Sequence, residues 1–297
     1  MPSRLLQMLI CTALLLTLQH KAAGQVTANA IKNVYQIKIQ DASGTAFTLQ
    51  VDGRQYLITA KHLVRGLKAD GTEETINIMK LNAQASDTKW EPLKVRVFPC
   101  HDPIDIAVLV ADKALILNMP LEPKPLKMFY GQEAYFLGFP FGLSMTGGGL
   151  DAPYPIPILK RGTLAAFSDE GGFHLELFDG LNNIGFSGAP VVFRDLSAPN
   201  SPFFVSGIVT GFMTDTIPTT ECRRLAPGES PGPGLDGWRS KTISGQVRKD
   251  DQGNPCILED TKTLVPVNTG LVITWNIQHA IDLIKLHPIG PLASLPK

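Results

Sequence analysis

Three short stretches hold residue types that together perform nucleophilic chemistry: Thr59-Ala60-Lys61-His62, Asp105-Ile106-Ala107-Val108-Leu109 and Gly185-Phe186-Ser187-Gly188-Ala189-Pro190. They supply a general base, a carboxylate to orient it, and a serine in a glycine-rich turn whose backbone N–H groups can face a developing oxyanion. Asp102 competes with Asp105, which is preferred because it abuts the apolar run that would bury it. His101 and His174 lack comparable context. Taken singly, each residue has a plainer reading: a turn serine, a strand-capping aspartate, a core histidine. Together and in this order they point to acyl transfer through a serine nucleophile.

The elements that must hold these residues are strands. Short β-branched or alternating runs occupy residues 34–40, 45–51, 55–59, 75–81, 94–98 and 106–110, split by turn pairs such as Asp52-Gly53. A proline-bearing stretch at 115–127 reads as an extended connection, and a second set of runs follows at 134–139, 159–167, 172–177, 189–193, 203–209 and 266–274. With no long helical pattern between them, these predict an all-β chain of two antiparallel barrels. Only the C-terminus is helical: Ile277, Ala280, Ile281 and Ile284 recur at helical spacing after an Asn276 cap, Pro288 stops the run, and His279 falls off the apolar stripe, on the surface. The helix is expected to close the second barrel. Residues 143–157 and 213–264 read as long surface loops, and Gly147-Gly148-Gly149 lacks the Gly-Lys-Ser/Thr of a phosphate loop.

The chain of 297 residues is 44% hydrophobic, enough for a large core, and its 27 basic and 27 acidic residues cancel, which removes the usual basis for nucleic acid or anionic membrane as partner. Arg4 precedes an apolar run over residues 5–18, and Ala22-Ala23-Gly24 offers a cleavage site. The run is shorter than the ~20 residues that span a bilayer, so residues 1–24 read as a signal peptide and the protein as exported, periplasmic or extracellular, with no stable membrane insertion. Export leaves Cys100, Cys222 and Cys256. Cys222 and Cys256 flank a loop-rich, core-poor insertion within residues 213–264 and are the favoured disulfide; the alternative is three free thiols. No spacing suggests a metal or another cofactor.

The motifs around His62, Asp105 and Ser187, with the later Gly207-Ile208-Val209-Thr210-Gly211, resemble the four fingerprints of chymotrypsin-like (trypsin-fold) serine peptidases. The likeness runs from about residue 30 to 284, with the insertion after Phe212 outside the usual pattern, and is nearest to an exported Deg-type protease domain without PDZ. It implies two chymotrypsin-like β-barrels (about 28–115 and 131–275), a linker over 116–130, a closing helix at 276–286 and a tail at 287–297. It implies a serine endopeptidase acting on peptide or protein substrates through His62, Asp105 and Ser187, with Gly185 and Ser187 N–H groups as the oxyanion hole. Thr210 matches the hydroxyl residue that supports the aspartate. Leu181, Gly211 and Phe212 match the substrate pocket, where the absence of charge implies a small or medium apolar residue before the scissile bond.

Two departures stand out. Phe186 occupies the position where zymogen-activated members carry an aspartate, and Ala189 replaces the second glycine after the serine. Other readings are a catalytically silent barrel that binds a partner, and an α/β-hydrolase esterase using Ser187 with His279 or His287, which needs a βα pattern the chain lacks.

Overall fold

The computed structural model describes residues 26–82, 87–115, 120–146, 153–168, 172–198, 201–224 and 247–293. The expected signal peptide, part of the linker and the centres of both long loop stretches lie outside these residues. A short helix α1 (Ala28–Lys32) precedes strands β1 (Val34–Ile39), β2 (Ala42–Val51), β3 (Arg54–Thr59), β4 (Glu73–Asn82), β5 (Asp87–Pro99) and β6 (Ala107–Ala111), which close into a barrel in the order β1-β2-β3-β6-β5-β4. After the short β7 (Glu122–Pro123) come β8 (Glu133–Gly138), β9 (Ile158–Ser168), β10 (Leu175–Asp179), β11 (Pro190–Arg194), β12 (Phe203–Arg224), β13 (Val247–Lys249) and β14 (Pro255–Asn276). In this second sheet β12 also pairs with β14, so β8-β9-β10-β14-β12-β11 forms a ring with the same path as the first. The chain is all-β with two antiparallel barrels and a C-terminal helix, α2 (Gln278–Leu286).

Strand parity assigns each side chain to one of three cores. On β6, Ala107, Leu109 and Ala111 fill the first barrel, while Val108 and Val110 face the seam between the barrels. On β8, Ala134 and Phe136 fill the second barrel, and Tyr135 and Leu137 face the seam. Strands buried on both faces read as continuous apolar runs such as Ala107–Ala111.

Two expectations are corrected. The helix does not sit on the second barrel alone: Ala280, Ile281 and Ile284 join the seam core with Cys100, Val108 and Val110 of the first barrel and Ile208 of the second. Its start is marked by Asn276, whose side chain accepts the Gln278 N–H at 3.0 Å, although the capping position itself is Ile277. The stretch after Phe212 is not a loop where it is described. β12 and β14 continue past the barrel as a paired ribbon, from Thr214↔Asn268 to Arg224↔Cys256. Pro218 and scattered charges hide the strand pattern in sequence, yet both are compatible with an exposed ribbon, which β13 joins beside β14 at residues 255–257.

Candidate active site

Register on the first barrel brings His62 and Asp105 together. Thr59 at the end of β3 pairs with Ala107 at the start of β6, so the residues just after β3 lie beside those just before β6. His62 sits in a 3₁₀ turn (Lys61–Val64) anchored by buried Leu63 and Val64. Asp105 sits in a short loop closed by the Cys100 N–H to Ile106 carbonyl bond at 2.9 Å. Its carboxylate accepts the His62 backbone N–H on Oδ1 at 2.8 Å and meets His62 Nδ1 with Oδ2 at 2.7 Å. With Nδ1 donating to Asp105, the lone pair of the neutral ring lies on Nε2, as a proton acceptor requires.

The competing Asp102 is exposed and paired with Lys61 Nζ at 2.7 Å, so it belongs to the surface. The Lys61 ammonium holds its carboxyl below the ordinary range. The expected Thr210 hydrogen bond to Asp105 is not formed. Thr210 is the extra residue of a β-bulge between Val209 and Gly211, and bulging turns it away from regular pairing.

Ser187 arrives from the β10–β11 connection, in a turn whose carbonyls are fully engaged. The Asn183 carbonyl accepts from Phe186 N at 3.2 Å, Ile184 from Phe141 N at 2.8 Å, Phe186 from Ala189 N at 2.8 Å and Ser187 from Thr45 N at 2.9 Å. The Gly185 carbonyl accepts from Thr45 Oγ1 at 2.7 Å. Among the described residues the N–H groups of Gly185 and Ser187 meet no acceptor, and neither does the Ser187 hydroxyl. Donors left over in a turn so fully bonded are what an incoming oxyanion needs. Hydrogen bonds between catalytic groups in a ligand-free site are commonly long and tighten with substrate.

Two glycines make this turn possible. Gly188 has φ +85°, and a Cβ there would lie 2.0 Å from the Thr45 carbonyl oxygen and 2.5 Å from Thr59 Oγ1. Gly185 has φ +101°, and its Cβ would lie 2.2 Å from the Phe139 carbonyl oxygen. The serine turn is thus pressed directly on the first barrel's β2 and on the end of β3 that leads to His62. Phe186 is fully buried inside the second barrel, where its burial contributes about 2–3 kcal/mol of anchoring. Ala189, equally buried, hands the chain to β11, its carbonyl accepting the Val209 N–H at 2.8 Å.

Around the pocket positions, Leu181 is exposed, and Gly211 and Phe212 are half-buried on β12. Asn182 Nδ2 donates to the Gly211 carbonyl at 3.2 Å, tying the wall carrying Leu181 to that strand. Lys160 was not singled out in sequence. Its ammonium donates to the Leu181 carbonyl at 2.9 Å and to Asn183 Oδ1, and lies 5.3 Å from the Phe186 ring. Partial burial lowers its pKa. Thr45 was also missed; its signal was Gly44 inside a strand, a mark of close backbone approach. A Cβ on Gly44 would lie 3.1 Å from the Ser187 carbonyl oxygen.

His279 is half-buried rather than on the surface. Its Nε2 accepts the His174 N–H at 3.2 Å, its ring stacks on His174 at 5.6 Å, and burial lowers its pKa. His287 stacks on Phe98 at 4.3 Å, and the all-β architecture leaves no place for an α/β-hydrolase arrangement of either residue. Cys222 and Cys256 are bonded across the β12–β14 ribbon. Cys100 is a free buried thiol whose pKa burial raises to about 12. Among the described residues no helix is long and apolar enough to cross a membrane.

No protein-family model and no curated protein sequence matches the chain. Solved structures similar to it include the inactive form of the Rv3671c protease of M. tuberculosis H37Rv, 18% identical over 63% of this chain and 78% of that one, with a TM-score of 0.40. The HtrA-type protease AlgW with a tripeptide is 15% identical over 87% of this chain and 62% of that one, with a TM-score of 0.45. Deg5 is 18% identical over 61% and 79%, with a TM-score of 0.42.

Proposed function

We propose that the protein is an exported serine endopeptidase that cleaves peptide bonds through an acyl-enzyme. The observation that carries this reading is the Ser187 turn, with every carbonyl from Asn183 to Ser187 engaged while the Gly185 and Ser187 N–H groups have no acceptor among the described residues. The Asp105–His62 pair stands on the barrel face against which that turn is pressed.

In this mechanism Ser187 Oγ bonds to the scissile carbonyl carbon as its proton passes to His62 Nε2. The oxyanion is held by the two N–H groups, each contributing roughly 3 kcal/mol at the transition state. His62 returns the proton to the departing amine, the C–N bond breaks, and water activated by His62 then releases the acid from Ser187. Asp105 holds the ring and stabilises the imidazolium. The uncharged Leu181, Gly211 and Phe212 surround favours a small or medium apolar residue before the scissile bond. The Cys222–Cys256 bond supports export to an oxidising compartment.

Labelling of the purified protein with a fluorophosphonate tests the reading. Wild type should label once, on Ser187, and Ser187→Ala not at all. Asp105→Asn should remain folded yet turn over peptides on the order of 10⁴-fold more slowly. A folded wild-type protein that neither labels nor cleaves would overturn the assignment in favour of a silent binding barrel.

A further inference from the structure

We propose, building on the serine-peptidase reading, that Phe141 is the positioning residue of the oxyanion hole. Its backbone N–H, presented from a left-handed conformation, selects the turn geometry in which the Gly185 N–H faces the substrate. Phe141 lies in the tight turn Pro140–Gly142 after β8, at φ +54° and ψ +23°. This region is costly for a residue with a Cβ. Its side chain is 68% exposed, so packing of the ring does not hold the backbone there.

Neighbouring hydrogen bonds do. Gly142 N donates to the Phe139 carbonyl at 3.1 Å and Leu143 N to the Pro140 carbonyl at 2.8 Å. The buried Gln36 amide, from β1 of the other barrel, donates to the Gly142 carbonyl at 3.2 Å.

The turn Asn183–Phe186 is closed by its Phe186 N–H to Asn183 carbonyl bond, and that bond is compatible with two turn types. In type II the third residue has positive φ, as Gly185 does at +101°. In type I the central Ile184–Gly185 peptide is flipped by about 180°, which reverses both its carbonyl and its N–H. A trans peptide points its C=O and N–H in opposite directions. The Ile184 carbonyl therefore acts as a handle: while it accepts from Phe141 N at 2.8 Å, the Gly185 N–H points away from Phe141. Among the described residues this is the one hydrogen bond made by the Ile184–Gly185 peptide group itself. Ile184 is 71% exposed, and glycine itself has no preference between the two signs of φ.

The experiment compares Phe141→Gly, Phe141→Asn, Phe141→Leu and Phe141→Val by acylation with p-nitrophenyl acetate and turnover of a peptide substrate, with Ser187→Ala as the baseline. All four variants keep the N–H and differ in tolerance of positive φ. Acylation and kcat should rank Gly and Asn at or above wild type, Leu close to it, and Val about 10-fold lower. KM should move less than about 3-fold, because the effect acts on the transition state. Thermal melting of each variant confirms folding. A ranking by side-chain apolarity, with Val and Leu near wild type and Gly and Asn lowest, would overturn the proposal. So would equal kcat in folded Gly and Val variants. Activity that survives in Ser187→Ala would remove the serine-peptidase reading and this inference with it.

Discussion

The two barrels trace the same strand path and differ in the pairing of their fifth and sixth strands. Both close through two residue pairs, Ile37↔Ile78 and Lys38↔Asn77 between β1 and β4, and Val191↔Phe136 and Val192↔Tyr135 between β8 and β11. The fifth and sixth strands differ: β5 and β6 pair only from Val95↔Ala111 to Pro99↔Ala107, whereas β12 and β14 run from Gly207↔Asn276 far past the barrel to Arg224↔Cys256. Equivalent connections have diverged in the same way. The connection between the third and fourth strands carries His62 in one barrel and Ser187 in the other. The connection between the fifth and sixth is a tight loop bearing Asp105 in the first barrel and the ribbon tip in the second. A repeated path thus supplies a rigid frame, and chemistry resides in connections that the frame brings together at the seam.

That contrast can be broken most severely where the barrels touch. Gly188→Ala should lower turnover by at least about 10²-fold and destabilise the fold by roughly 2–3 kcal/mol, because the new methyl meets backbone rather than a movable side chain. Urea unfolding and peptide turnover measure the two effects; a fully active, equally stable variant would mean the joint is loose.

The ribbon should respond locally. None of its described residues between Met213 and Asn268 belongs to a barrel core. In the Cys222→Ser, Cys256→Ser double variant, amide exchange near the ribbon end should speed up by about 10²-fold, while barrel melting stays nearly unchanged. A matching fall in barrel melting would show that ribbon and barrel unfold together.

The smallest effect concerns the Lys124–Asp195 pair, which ties the inter-barrel connection to the end of β11. Lys124, then the Ser197 hydroxyl and N–H, hold the Asp195 carboxyl down to about 2. A carboxyl more acidic in the fold than in the unfolded chain stabilises the fold above its unfolded pKa, and that contribution fades as pH falls from about 4 toward 2. Denaturant midpoints across that range should fall less steeply for Lys124→Met than for wild type. Equal slopes would remove the pair from the acid response.

Much of this architecture was readable because local patterns and burial agree. Twelve apolar runs correspond to the twelve barrel strands, and His62, Asp105 and Ser187 were marked by the apolar and glycine-rich contexts around them. Most of the ribbon was not readable, because its strands mix apolar and polar residues, are interrupted by proline and are defined by pairing with each other. The helix periodicity was visible, but not the surface it covers, since an apolar stripe does not name its counterpart.

By itself the sequence determined the twelve barrel strands, the C-terminal helix and the order of the chemical motifs, all properties of spacing along one chain. Tertiary structure alone decided the rest. The register Thr59↔Ala107 sets His62 beside Asp105 rather than leaving Asp102 as a rival. Thr45 and Phe141, far from Ser187 in sequence, fix carbonyls of its turn. Thr210 stands at a bulge of β12, opposite no residue of β14. Hydrogen bonds between distant backbone groups depend on how strands pair and barrels dock, and no local pattern records them.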